Sequence, residues 1–329
     1  MRNRKNLRKS AYYCVILILV LVLLLSGLQI LESTVLLKEE AAEPTRASKT
    51  VTKDGIDYFP RQDITVILAL GLGAEGQLVS SGYYRNSSEA DAVMLLILDE
   101  ADRSYSVLCL NRDTMVDMPV LGLGGKAAGT TVAQLAMAYT YGEGLEDSCE
   151  NAEKAVSDLL GGISIDYYIA MSMDAIAIIN DAVGGVTVTV TDDFSQVDAS
   201  IPMGEVTLNG SQALSFVRGR MNVGNQLNVS RMERHEAYMS GLMAAMDQKL
   251  DAEGDGFAVR LYEETAPYMV TDISGNALSG IMSRCKDYTL KEIVSPQGEN
   301  IRGKDYYEFH VDEEALEALA LRLFYAPKK

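Results

Sequence analysis

Residues 91–114 read DAVMLLILDEADRSYSVLCLNRDT. In DAVMLLILD (91–99) odd and even positions alike are apolar. A strand of that texture is covered on both faces, so it belongs inside a sheet with layers above and below it. SYSVLCL (104–110) repeats the pattern and runs into the polar string NRDT. Upstream, ITVILAL (64–70) is another buried strand.

Helical spacing alternates with these strands. ENAEKAVSDLLGG (150–162) predicts a helix with a glycine stop, and YYIAMS (167–172) a strand. MDAIAIINDAVGG (173–185) is a helix closed by a tight glycine turn, before the strand VTVTV (186–190). TVAQLAMAYTYG (131–142) also has helical spacing. LNGSQALSFVRGR holds a short helix capped by Asn209 and Gln212, and SRMERHEAYMSGLMAAMDQKL (230–250) a long one. The tail predicts helices over 257–265, 273–284 and 312–323, with a strand pair near 290–310. This alternation predicts an α/β or α+β domain, a central mixed β-sheet covered by helices. The domain runs over 63–250, with 32–62 as linker and 251–329 as an extension that packs on the domain or continues it.

The first ten residues, MRNRKNLRKS, carry five basic side chains and no acid, and AYYCVILILVLVLLLSGLQIL (11–31) is uncharged. That run is long enough to cross a bilayer core. The basic flank predicts a cytoplasmic tail and an extracytoplasmic remainder. A cleaved signal peptide is the alternative, with a shorter apolar core and a small-residue cleavage site. LSGLQILES is a poor match to such a site, and the segment reads as a retained transmembrane anchor.

The net charge is −17. So acidic a surface repels nucleic acid and excludes a nucleic-acid binder. Four cysteines (Cys14, Cys109, Cys149, Cys285) without CxxC and two histidines (His235, His310) argue against a zinc site. No G-x-S-x-G is present. Cys109, in an apolar strand, packs as a small hydrophobe, and a Cys149–Cys285 pairing stays open. GLGAEG (71–76) matches G-x-G-x-x-G after a strand, but the polar QLVSSGYYRNSSE that follows has no helical stripe. A dinucleotide loop needs a helix N-terminus there, so this stretch is an ordinary loop.

Against that acidic background, Arg218, Arg220, Arg231 and Arg234 fall within FVRGRMNVGNQLNVSRMERHEAYM (216–239). Ser230-x-x-Glu233 reads as a capping box, which puts Arg231 and Arg234 at the start of a helix, on one face. A helix N-terminus favours anions, so arginines there predict a bound phosphate among them. Pairing of each arginine with an Asp or Glu is the alternative.

LNRDTMV (110–116), DAVGGVTVTV (181–190), GSQALSFVRGR (210–220) and SRMERHEAY (230–238) follow one another in this order. With ITVILALG and SSEADAVMLL, they resemble the LytR–CpsA–Psr (LCP) family over about residues 64–246. The resemblance implies an extracytoplasmic, membrane-anchored transferase of cell-wall assembly. Such a protein moves an anionic glycopolymer, such as teichoic acid, from a polyprenyl-pyrophosphate carrier to peptidoglycan. It implies pyrophosphate binding by Arg112, Arg218, Arg220, Arg231 and Arg234, and a metal-associated Asp91. Three positions depart from the family pattern. Gly71-Leu72-Gly73 lacks the aspartate of Gly-x-Asp, Glu89 stands for an arginine, and His235 stands for a glutamine. Arg85 is a candidate substitute for that arginine, and Glu75 or Glu89 for the carboxylate.

The expected mechanism is phosphoryl transfer by positioning and charge neutralisation. Asp91 with Glu89 holds Mg²⁺. Asp113, beside Arg112, is the general base toward a sugar hydroxyl, or alternatively a salt-bridge partner that orients Arg112 or Arg218. AQLAMAY (133–139), MDAIAIIN (173–180) and YMSGLMAAM (238–246) are the expected walls of a prenyl tunnel. A non-catalytic lipid-phosphate binder and a lipid pyrophosphatase are the rival functions. Topology and charge argue against transcriptional regulation.

Overall fold

The computed structural model describes residues 50–328 apart from 122–126, 220–222, 224–227, 254, 275–276, 278–279, 282–283, 286–287 and 305. The basic tail and the apolar run 11–31 lie outside the described residues. Among the described residues, no helix is long and apolar enough to cross a membrane.

The elements, numbered in chain order, begin with β1 (Val51–Lys53), β2 (Ile56–Pro60), β3 (Ile64–Leu72), β4 (Ala90–Asp99) and β5 (Ser104–Leu110). Then come β6 (Met115–Leu121), β7 (Ala127–Gln134), α1 (Glu146–Leu159), β8 (Tyr167–Ser172) and α2 (Ala175–Ala182). They are followed by β9 (Val186–Val190), β10 (Gly204–Leu208), α3 (Gly210–Arg218), α4 (Asn228–Glu253) and α5 (Asp255–Thr265). The chain closes with β11 (Met269–Thr271), β12 (Thr289–Val294), β13 (Gly298–Arg302), β14 (Tyr307–Val311), α6 (Glu313–Phe324) and β15 (Tyr325–Pro327).

The central sheet has six strands in the order β11-β8-β3-β4-β5-β12. It is mixed: β3 pairs antiparallel with β4 and parallel with β8, and β12 runs parallel to β5. The apolar runs bury both faces, as their texture requires. Ile67, Ala69, Met94 and Leu96 face one core with Ile176, Phe216 and Leu242. Val66, Leu68, Val93 and Leu95 face the other with Tyr139, Val156 and Leu321.

Residues 251–329 complete the sheet, since β11 and β12 form its two edges. Within the expected linker, β1 and β2 join β15 in a small antiparallel sheet. The helix expected over 131–142 does not form. Ala127–Gln134 is a strand paired with β6, and only Leu135–Thr140 turns helically, as a 3₁₀ segment. Pairing with a partner strand outweighed local helical spacing there.

Caps follow chemistry. Asn209 and Gln212 form a reciprocal capping box on α3. Gly184 and Gly185 end α2 with φ of 88° and 96°, and their N–H groups reach Asp181 O and Asn180 O at 2.9 and 2.8 Å. Fully buried Asn180 donates to Leu208 O (2.8 Å) and accepts from Tyr238 (3.2 Å), tying α2, β10 and α4 together. The helix α4 begins at Asn228, two residues before the expected cap Ser230, which moves Arg234 into its second turn. Cys109 is buried in the core, while Cys149 and Cys285 are free thiols rather than a disulfide.

Candidate functional site

Strand direction collects the polar strings at one end of the sheet. Leu72 pairs with Ala90 and Ser172, and Val93 with Leu110. The exits of β3, β5 and β8 therefore meet the entrance of β4. Glu75, Glu89, Asp91, Arg112, Asp113 and Asp174 all sit on or just beyond these strand ends.

Arg112 is the hub. Its guanidinium is ion-paired with Glu89 and with Asp91, and Nε lies 3.7 Å from Asp113 Oδ1. Nε is buried and makes no hydrogen bond among the described residues. Ser172 Oγ, where β8 finishes at the same end of the sheet, is likewise buried with no hydrogen-bond partner among the described residues. Buried polar atoms are nearly always satisfied, so the orphaned Arg112 Nε, beside three carboxylates, marks a place for a ligand or water. Asp113 is fixed from the other side: its carboxylate accepts from Gln134 Nε2 (2.9 Å) and its carbonyl from Phe309 N (2.8 Å).

The loop after β3 lines the same place and is irregular, as its composition predicts. Gly73 N donates to Glu89 O (3.0 Å), and Gly76 N to Asp174 Oδ2 (2.5 Å). A Cβ at Gly73 would stand 2.8 Å from Asp91 Oδ2. Glycine at this position thus brings the loop backbone against the Asp91 carboxylate. Glu75 reaches the Arg218 guanidinium at 3.3 Å. Both candidate substitute carboxylates, Glu75 and Glu89, are thereby engaged with arginines of the predicted set. Arg85 instead stacks on the Tyr141 ring, 5.0 Å from its centroid.

The four clustered arginines separate. Arg218, at the end of α3, is 37% exposed and held by one exposed carboxylate. Arg234 is 3% exposed. It bonds Asp192 (2.6 Å), Phe216 O (3.3 Å) and Gly219 O, and packs 5.5 Å from the centroid of the Phe194 ring. Its guanidinium therefore clamps the backbone turn from which Arg218 projects. Arg220 lies outside the described residues, as do the side chains of Arg231 and His235.

An oxygen-liganded cation suits this donor set. Glu89 and Asp91 direct carboxylates at one shared positive group. Among the described residues, no group of three His, Cys, Asp or Glu side chains is arranged to hold a metal. Two protein carboxylates fit Mg²⁺, which commonly takes one or two together with substrate phosphates.

The expected tunnel walls do not enclose one space. Leu135, Ala138 and Tyr139 lie on one face of the sheet, and Ile176, Ile179, Tyr238 and Leu242 on the other. A cavity of about 480 Å³ lies elsewhere, between β6, α1 and α6, with Val116, Leu159 and Leu316 among its walls.

The chain thus has a mixed sheet with helices on both faces and arginines interleaved with carboxylates at one end. The LytR_cpsA_psr family model matches residues 29–324, and the chain belongs to that family. It is 29% identical to the cell wall biosynthesis protein LcpA of Corynebacterium glutamicum, over 48% of this chain and 33% of LcpA. It is 26% identical to the polyisoprenyl-teichoic acid–peptidoglycan teichoic acid transferase TagU of Bacillus cereus, over 67% of this chain and 65% of TagU. The chain thus spans less than two thirds of these two relatives. In fold it resembles the gbs0355 protein of Streptococcus agalactiae (TM-score 0.60, 21% identity, 79% of this chain and 86% of that one). It likewise resembles TagT bound to LI-WTA (TM-score 0.54, 19% identity, 80% and 90%).

Proposed function

We propose that the chain is an extracytoplasmic, membrane-anchored phosphotransferase that moves an anionic glycopolymer from polyprenyl pyrophosphate to peptidoglycan. The observation that carries this reading is the convergence of Arg112, Glu89, Asp91 and Asp113 at one sheet end, with Arg218 held by Glu75 on the loop that leaves β3 at that end. Family membership and the printed activities of the relatives agree with it.

In this mechanism Arg112 and Arg218 grip the pyrophosphate, and Arg220 and Arg231 take the same role. Arg234 holds the turn that aims Arg218. The acceptor hydroxyl attacks the sugar-bearing phosphorus, and its proton passes to Asp113. A new O–P bond forms while the bond to the polyprenyl phosphate breaks, and polyprenyl phosphate departs. The guanidinium groups stabilise the charge gathering on the phosphoryl and the leaving group. Glu89 and Asp91 would hold Mg²⁺, which supplies further positive charge to the phosphate oxygens when bound.

Gly73 favours a second reading. It removes a carboxylate beside Asp91, so a binder that keeps the clamp without transfer is the competing function. Purified full-length protein, a polyprenyl-pyrophosphate-linked saccharide, peptidoglycan and Mg²⁺ decide between them. Transfer that falls about 100-fold or more in Asp113→Asn and in Arg218→Ala supports the enzyme. Bound lipid with no product supports the binder, and saccharide phosphate released to water identifies a pyrophosphatase.

A further inference from the structure

The hairpin β13–β14 lies outside the motifs that mark the arginine site, yet it is joined to Asp113 more closely than to any other part of that site. Phe309 N donates to Asp113 O (2.8 Å), and Thr114 forms a parallel bridge with Phe309. One side-chain nitrogen, Gln134 Nε2, donates both to Asp113 Oδ1 (2.9 Å) and to Tyr307 O (2.8 Å). Tyr307 O and the carboxylate that faces Arg112 therefore share one donor.

Strand register decides which side chains face the body. Gly298 pairs with Val311, Asn300 with Phe309 and Arg302 with Tyr307, so these six share one face. Phe309 is buried, and Gly298 leaves room for its ring, where an added Cβ would come within 2.7 Å. The face that anchors the hairpin thus continues, two residues on, into Arg302 and Tyr307. There the core has ended. Tyr307 is 55% exposed, and the Arg302 guanidinium stacks 5.0 Å from its ring centroid. Ile301 and Glu308 point to the opposite face.

A tyrosine ring held by a stacked guanidinium is a preordered platform, and preordering lowers the entropic cost of binding. Its chemistry suits a sugar: C–H groups of a pyranose lie on the aromatic face, and the guanidinium fork donates to hydroxyl or carboxylate oxygens. Arg218, read above as a pyrophosphate ligand, meets Glu75 on the loop after β3, whereas the platform is tied to Asp113 after β5, with β4 between the two strands. The two halves of the reaction need this separation, with the donor on the cations and the hydroxyl at the base.

We propose that Arg302 and Tyr307 form the acceptor subsite, which holds a sugar of the peptidoglycan glycan strand with its hydroxyl toward Asp113. This rests on the transferase reading above and deepens it.

The test uses the full chain in detergent with soluble peptidoglycan glycan strands as the probe. Saturation-transfer NMR measures strand binding, and the reconstituted transfer assay measures acceptor KM and kcat. Wild-type protein should bind the strands. Tyr307→Ala and Arg302→Ala should weaken binding tenfold or more and raise acceptor KM in proportion. Tyr307→Phe should keep both, as should Ile301→Ser on the opposite face, and lipid-linked donor should bind all four variants equally. Undiminished strand binding in Tyr307→Ala, no strand binding by the wild type, or a loss confined to the donor would each overturn the proposal. Strand binding that depends on Tyr307 without any transfer would uphold the subsite while refuting the transferase. Transfer with an unchanged acceptor KM in Tyr307→Ala would do the reverse.

Discussion

Arg234 separates a scaffold from a ligand clamp. At 3% exposure it pairs with Asp192 and serves two backbone carbonyls, Phe216 O and Gly219 O. Arg234→Leu keeps most of the volume, leaves a half-buried carboxylate alone and removes the donor from both carbonyls. Breaking a buried pair from one side costs about 3–5 kcal/mol. At about 2–4 °C per kcal/mol for a domain of this size, the melting temperature should fall by roughly 10 °C. Removing the stranded charge as well should return part of that loss. Asp192→Asn in the Arg234→Leu background is expected to be no less stable than Arg234→Leu alone, with a coupling energy of about 2 kcal/mol. Urea unfolding of the full chain in detergent, followed by far-UV circular dichroism, measures all four corners of the cycle. A cost below about 1 kcal/mol for Arg234→Leu, or strictly additive single changes, would refute the scaffold argument. Arg234 would then be free to contact a ligand directly.

Three further outcomes follow from the same geometry. Burial, then Asp272, Glu150 and Asp166, push the Glu153 carboxyl up to about 7 from 4.5. The native state therefore holds this proton more tightly than the unfolded chain. That stability is complete below about pH 4.5 and lost as pH rises through about 7. The full displacement corresponds to about 3 kcal/mol, and partial solvent access reduces it to about 1–2 kcal/mol. Glu153→Gln should be more stable than wild type by that amount at pH 8 and no more stable at pH 4; equal stability at both pH values would contradict the argument. Gly73→Asp sets a third carboxylate beside Asp91. Its melting temperature should fall without Mg²⁺ and recover with it, and calorimetry should show tighter Mg²⁺ binding than in wild type; an unchanged affinity counts against Asp91 as a ligand. Gly185→Ala forces a Cβ within 2.7 Å of Thr207 Cγ2 at a φ of 96°. Chemical denaturation should show a loss of about 2–4 kcal/mol, and a loss under 1 kcal/mol would mean the turn relaxes freely.

The central strands were legible because burial on both faces leaves an unbroken apolar run, as in DAVMLLILD. Capping was legible at Asn209, where the partner is three residues away. The edges were not. The strands β11 and β15 are three residues long, and only the neighbours they pair with make them strands. TVAQLAMAY has a helical rhythm, yet its first half pairs with β6 across a hairpin that no local window registers.

The site divides the same way. Arg112 and Asp113 stand together in sequence, and sheet topology brings Glu89 and Asp91 to them. Arg234 looked equivalent to Arg218 because its partner, Asp192, is 42 residues upstream. Tyr307 carried no local signal beyond a tyrosine pair at 306–307, and its link to Asp113 runs through Gln134, 173 residues away.

Native mass spectrometry of the full chain, extracted from its host membrane in mild detergent, tests the arginine site most directly. Wild type, Arg218→Ala and Arg112→Ala would be compared in one preparation. The predicted result is a polyprenyl phosphate or pyrophosphate that co-purifies with wild type and is lost from both variants. Wild-type protein that carries no such lipid and takes up none when it is added, or variants that retain it undiminished, would contradict the account.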